Sequence, residues 1–284
     1  MSPALTIVLP VRDPDRLPKV LGALDAQRAA APDSELLLVH VGHAARIDAA
    51  LRSHGPIGWR SLRVPTEAPS ASAARALGAS RAQGDRVLFL DDSTTPEPGL
   101  LAAHMAMHAR HPDAALQGQT WWSAEVAAIR PYLHWIAQQR WRWHDCADGE
   151  PLPEARLDPS NLSVPRARLE EANFPAGIDA PYDARMALAG AQVRFCADAA
   201  CVCERAWTPQ EWLAREKALG AAAARAEKAG AAFVAAIRES RGRIARRRPR
   251  WLLATRWILG GGDLAAEWDA EAAHAWLAGY RSGG

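Results

Sequence analysis

The sequence predicts an α/β protein: a mostly parallel sheet with helices on both faces, followed by a helical C-terminal extension. Three observations carry this prediction. Short, mostly apolar runs recur at 5–10, 35–40 and 87–90, the pattern of strands buried on both faces. Segments with apolar residues at helical spacing separate these runs, so strands and helices alternate. The last quarter is alanine-rich and helical in period, and there the alternation stops.

The first strand is LTIVLP, ending at Pro10, with Val11, Arg12 and Asp13 in the following loop. Leu17, Val20, Leu21 and Leu24 then share one helical face up to Gln27. A second strand, ELLLVH, ends at His40, and Arg63-Val64 reads as a short third. Ser70 or Ser72 caps the next helix, which runs through Arg75 and Gly78 to about Gln83. The strand 87–90 follows, then a helix through Leu100, Met105 and His108.

Beyond residue 115 come a strand to Trp122 and a packed helical region holding Tyr132, Trp135, Ile136, Trp141 and Trp143. After a proline-rich loop at 151–159, NLSVP (161–165) reads as a short strand and 167–172 as a short helix. A further helix is expected at 179–189, short strands at 193–195 and 201–203, and a helix from Pro209 to about Lys228.

Composition excludes several classes. The 284 residues are 49% hydrophobic and 23% charged, ordinary for a globular protein. A net charge of +2 argues against a nucleic-acid partner bound through bulk charge. No secretory leader follows Met1, and no apolar run reaches the roughly 18 residues that a membrane span requires. With 4 cysteines in a chain this long, no disulfide framework is expected, so the reading is cytoplasmic. The tail carries Arg241, Arg243, Arg246, Arg247, Arg248 and Arg250 just before the Trp/Leu-rich stretch 251–259. That juxtaposition suits peripheral contact with an anionic membrane, or else a solvated helix packed by its apolar stripe.

The chemistry is concentrated in GDRVLFLDDSTTP, residues 84–96. Four apolar residues run into Asp91 and Asp92, and the carboxyl ends of such strands are where open α/β sheets hold ligands. Paired carboxylates there can bind a divalent cation bridging a diphosphate, or they close a turn and cap the helix beyond Pro96.

In order along about Leu5 to Lys228, the landmarks LTIVLPVR (5–12), AARALGASRAQGDRVLFLDD (73–92), NLSVPR (161–166) and Arg185-Met186 with Arg194-Phe195 resemble family 2 glycosyltransferases of the GT-A (Rossmann-like) fold. The resemblance implies a GT-A domain over 1–215 and a helical, basic, Trp-rich extension over 216–284. It implies transfer of a sugar from a nucleotide diphospho-sugar to an unknown acceptor, usually with inversion. Pro10, Arg12, Arg75, Asp91 and Asp92 fall on nucleotide-binding positions, Asp91 and Asp92 also on the positions for Mn or Mg. Asp179 falls on the general base, and helix capping explains Asp179 equally well without the resemblance. Trp121, Trp122, Trp141 and Trp143 are candidates to line an acceptor pocket.

The departures from the family pattern lie at functional positions. His40 and His43 occupy the stretch where the family has base-contacting acids, and Ala76 replaces an asparagine. Ile178 replaces the glutamate before Asp179. Ser93 and Cys203 stand at expected metal-ligand positions, with Glu204 retained. A hydroxyl and a thiol are poor partners for Mn or Mg, so metal-independent function is the alternative. The C-x4-C-x-C spacing of Cys196, Cys201 and Cys203 is not a standard zinc arrangement and suits buried strand cysteines. His104, His108 and His111 share a helix face without an accompanying acid, which suits packing. Two function classes follow: a transferase with a modified donor site, and a catalytically inactive binding or scaffold relative.

Overall fold

A computed structural model describes residues 3–40, 42–54, 60–65, 71–129, 131–136, 143–152, 157–171, 192–228, 230, 233–248 and 264–283. The strands are β1 (Leu5–Val11), β2 (Ser34–His40), β3 (Arg60–Pro65), β4 (Arg86–Leu90), β5 (Thr94–Pro96), β6 (Ala115–Trp122), β7 (Asn161–Pro165) and β8 (Val193–Cys203). The helices are α1 (Leu17–Asp25), α2 (Ala44–His54), α3 (Ala71–Arg81), α4 (Leu100–Arg110), α5 (Ala124–Ile129), α6 (Pro131–Ile136) and α7 (Arg166–Glu171). Three more close the chain: Pro209–Lys228, Phe233–Arg247 and Leu264–Gly283, here α8, α9 and α10.

The strands form one sheet in the order β3-β2-β1-β4-β7-β6-β8-β5. Its first four strands run parallel. Strand β7 enters antiparallel to β4 and β6, while β8 runs parallel to β6 and antiparallel to β5. Strand alternation divides the apolar side chains between two cores. Leu5, Ile7, Leu9, Leu36, Leu38, Leu88 and Leu90 pack on one face with α1, α2 and α4. Val8, Leu37, Val39, Val87 and Phe89 pack on the other with α3 and α7. Burial on both faces is why these strands read as mostly apolar runs rather than alternating ones.

Three elements differ from the sequence reading. The two short strands expected at 193–195 and 201–203 are one continuous strand, β8, whose pairing with β6 is irregular at Gly118/Gln119. Helix α2 went unread because its mostly alanine and charged sequence buries only Ile47 and Ala50. Strand β5 has no sequence expectation behind it; its three residues are strand because they pair with Cys201–Cys203 of β8. The helix expected at 179–189, Ser70, Trp141 and the stretch 251–259 lie outside the described residues, as does the side chain of Trp143.

Residues 1–126 with 137–205 form one compact unit, and 127–136 with 206–284 a second. The 215/216 division falls inside helix α8. In the second unit, Tyr132 and Trp135 of α6 meet Trp212 of α8 and Trp268 of α10, with ring centroids 5.7–6.2 Å apart. Helix α10 lies directly on α8, where a Cβ at Gly220 would sit 1.9 Å from the Trp276 carbonyl and one at Gly279 1.8 Å from the Lys217 carbonyl. Glu216, fully buried, is met by Arg241 at 3.2 Å. No helix among the described residues is long and apolar enough to cross a membrane.

Candidate functional site

The carboxyl ends of β1 and β4 lie side by side in the sheet, so the residues just after them converge. Asp92, 6% exposed, does not cap a following helix. Helix α4 begins instead at Gly99, whose φ of 94° serves the turn and whose missing side chain leaves no cap. The Asp92 carboxylate reaches across to β1, where Oδ2 accepts the backbone N–H groups of Arg12 at 2.5 Å and Asp13 at 2.6 Å. Burial pushes the Asp92 pKa up, and the two N–H donors pull it back toward the ionised form. Asp92 thus fixes the loop that carries Arg12. The Arg12 side chain is exposed, and its charge acts on the Asp92 carboxylate.

Asp91 is met from the opposite side. The Arg75 guanidinium, on α3, forms an ion pair with Asp91; the arginine side chain is 5% exposed and the aspartate 29%. Arg75 Nε is buried without a hydrogen-bond partner among the described residues. Helix α3 approaches closely enough for this pair because Gly78, one turn beyond Arg75, has no side chain. A Cβ there would lie 2.3 Å from Val8 Cγ1 and 3.2 Å from Val39 Cγ2. The glycine inside the helical run was the sequence signal for that approach, and it went unread.

The chain then turns so that Ser93 meets β8. Glu204 N donates to the Ser93 carbonyl at 3.1 Å, and Cys203 pairs with Thr94. Ser93, Thr94, Cys203 and Glu204 are therefore neighbours, and the Asp91 charge acts on the Cys203 thiol. Lys19 of α1 forms an ion pair with the Glu204 carboxylate, a contact that nothing in the sequence announces.

A resident cation at this strand end would be Mn or Mg. Such cations need several free oxygen ligands. Arg75 takes one oxygen of Asp91, one oxygen of Asp92 accepts two N–H groups, and Lys19 takes one oxygen of Glu204. Ser93 offers a neutral hydroxyl, and burial pushes the Cys203 thiol up to about 11, away from a metal-binding thiolate. Among the described residues no group of three or more His, Cys, Asp and Glu is arranged to hold a metal ion. So paired, the described residues do not fit a resident divalent cation.

Other candidates have different positions. His40 is buried at the end of β2, its Nδ1 donating to the Gly42 carbonyl at 3.1 Å, while His43 is exposed. Pro10 is paired in register with Val39 inside β1. Trp121 and Trp122, at the end of β6, are half-buried. Asp179, Ile178 and the Arg185-Met186 pair lie outside the described residues.

The α4 histidines pack against β7. His104 Nδ1 meets Ser163 Oγ at 2.8 Å and its Nε2 meets Asn161 Oδ1 at 3.0 Å; His108 Nε2 meets Ser163 Oγ at 2.9 Å. Burial lowers both, His104 to about 4 and His108 to about 3, so both rings are neutral. Asn161 continues the network by donating to the carbonyls of Gln119 and Ala199. Burial pushes Cys196 up to about 12 and raises Cys201 further, so these are inert strand thiols.

No family model matches the chain, and no curated protein matches its sequence. Solved structures do match its fold. The mannosyltransferase PcManGT from Pyrobaculum calidifontis, solved in complex with GDP-Man and Mn2+, is similar over 100% of this chain and 76% of its own, with TM-score 0.57 and 16% identity. S. aureus TarS 1–349 is similar over 77% of this chain, with TM-score 0.54 and 13% identity; the match spans only 65% of TarS 1–349. The same TarS fragment in complex with UDP-GlcNAc gives TM-score 0.56 at 14% identity, over 77% of this chain and 66% of that one. At such identities the likeness speaks for architecture, and it agrees with the sheet order and the convergence at β1 and β4: the chain has the GT-A fold of glycosyltransferases.

Proposed function

We propose that this protein transfers a sugar from a nucleotide diphospho-sugar to an acceptor hydroxyl, with inversion and without a resident divalent cation. The observation that carries the reading is the convergence of Arg12, Asp91 and Asp92 beyond β1 and β4 in a GT-A sheet, with Arg75 of α3 paired to Asp91. Structural neighbours solved with GDP-Man and UDP-GlcNAc support the choice of donor class.

In an inverting transfer the acceptor oxygen attacks the anomeric carbon opposite the diphosphate. The carbon–oxygen bond to the diphosphate breaks, its electron pair leaves with the diphosphate, and the acceptor proton passes to a carboxylate. Asp179 is the proposed base. The leaving diphosphate gains negative charge that fixed cations must meet. Arg12, exposed beside Asp92, is the proposed direct contact. Arg75, with one N–H unspent and its charge anchored on Asp91, is the second. Asp92 acts by holding the backbone that aims Arg12. Trp121 and Trp122 offer aromatic faces to the acceptor. A cytoplasmic site of action, with the basic segment 241–250 toward a membrane surface, belongs to the same proposal.

The second reading, a nucleotide-binding module without transferase activity, is favoured by the same closure of Asp91 and Glu204 on internal cations. One experiment separates the readings. Nucleoside diphosphates and nucleotide sugars are screened by thermal shift, with EDTA and with Mn2+, since a ligand that binds the folded state raises Tm. Ligands that bind are then incubated as donors with candidate acceptors, for the wild type and Asp179→Ala. Binding with transfer that Asp179→Ala abolishes supports the enzyme; binding with no transfer or hydrolysis supports the module. If no nucleotide raises Tm, both fail, and if Mn2+ is obligatory, the cation-free site is wrong.

A further inference from the structure

The second unit holds a groove whose charge is unbalanced. It lies between α9 and α10, has a volume of about 1080 Å³, and carries Arg238 and Arg246 on one wall and His274 and Arg281 on the other. Its floor is made of small residues, among them Ala235 and Gly242. Gly242 keeps the floor low. A Cβ there would meet nothing within 4 Å except Arg246 Nη1 at 3.4 Å, so that guanidinium lies over the glycine.

The three arginines differ in how they are held. Arg238 is pre-oriented: it donates to Glu227 Oε2 at 3.1 Å and to Tyr280 Oη at 2.7 Å, and lies 5.4 Å above the Tyr280 ring. That ring is itself stacked on Trp276 at 5.4 Å. Arg246 and Arg281 are exposed, and neither has a carboxylate partner among the described residues. Glu239, the acid among the lining residues, is already paired with Arg243 at 2.6 Å. His274 Nε2 is directed to the Arg248 carbonyl at 2.9 Å and adds no acid. Two guanidinium groups therefore face the groove with their charge unmet, beside a third held rigidly in place.

The geometry points to a binding site for a phosphate or diphosphate group in this groove. Planar guanidinium forks match the oxygens of a phosphate in paired hydrogen bonds, which an exposed lysine patch would not provide. The volume exceeds a single phosphate, so the ligand brings a second phosphate or an organic substituent over the Ala/Gly floor. A phospholipid headgroup and a free diphosphate share this chemistry.

Two probes separate those sources: inorganic pyrophosphate followed by calorimetry, and sedimentation with phosphatidylcholine vesicles with or without phosphatidylglycerol. The variants are Arg246→Ala/Arg281→Ala, which removes two exposed side chains without a carboxylate partner among the described residues, and Gly242→Leu, which fills the floor and removes no charge. Each is checked for an unchanged Tm. A free-phosphate site gives saturable pyrophosphate binding that weakens by about tenfold or more in both variants, as expected for lost charge-assisted hydrogen bonds. A headgroup site gives phosphatidylglycerol-dependent sedimentation lost in both variants. Binding that survives both, or that Gly242→Leu leaves intact, places the anion elsewhere or on a diffuse surface and overturns the proposal. So does the absence of binding to either probe.

Discussion

Arg75 and Asp91 are sixteen positions apart in the chain and meet across the end of β4, the arginine almost fully buried and the aspartate partly open. The pair spends on a guanidinium the carboxylate that the family pattern assigns to a cation. Removing one member strands the other in a poorly solvated place. Arg75→Ala and Asp91→Asn should each cost about 1–3 kcal/mol in urea unfolding, between the values for exposed and fully buried pairs. The double variant should cost less than the sum, because the second change removes a group already orphaned. Strict additivity would show that the pair contributes nothing as a pair.

Gly78 sets the distance of α3 from the sheet. Glycine to alanine in a helix interior ordinarily stabilises by up to about 1 kcal/mol. Here the added Cβ would sit 2.3 Å from Val8 Cγ1, so the sign should reverse. Gly78→Ala should be destabilising in urea unfolding, and it should weaken nucleoside diphosphate binding by moving Arg75. A stabilised variant would mean that α3 does not approach β1 as described.

His104 and His108 should make the fold acid-sensitive. Their folded pKa values, about 4 and about 3, lie below the ordinary 6.5, so between these values the unfolded chain binds protons that the folded chain does not. The contribution is intact above about 6.5 and is lost as pH falls, at about 1.4 kcal/mol per pH unit for each histidine. His108→Gln, which keeps a donor for Ser163, should flatten the stability curve between about pH 6 and 4 by one proton. An unchanged slope would place the His108 proton in both states.

Thiol labelling tests the burial of β8. Cys196, Cys201 and Cys203 are buried and Cys146 is partly open. Native protein at about pH 8 should give one fast-reacting thiol, lost in Cys146→Ser, and the other three only on unfolding. Rapid labelling of Cys203 would contradict its raised pKa and reopen the question of a metal at that position.

The strands of the first half were legible because burial on both faces writes itself locally: LTIVLP, ELLLVH and RVLFL have no other economical reading. The helices over 17–25, 71–81 and 100–110 were legible from period or composition. Helix α2 was not, because two buried residues do not make a period, and β5 was not, because three residues become a strand only by pairing with β8.

The sequence by itself determined the α/β alternation, and its residue types singled out Asp91 and Asp92 as the candidate site and Ser93 and Cys203 as poor cation ligands. These follow from residue type and local order. Only the tertiary structure decided what the two aspartates hold. Asp92 takes the N–H groups of Arg12 and Asp13, and Asp91 takes Arg75, with Lys19 doing the same for Glu204. Those partners come from other elements, and an ion pair or a backbone donor reached across a sheet leaves no period or spacing in the chain. The carboxylates announce that charge is handled at this strand end; which charge meets them depends on how closely α3 and β1 approach, and that is set by packing at Gly78.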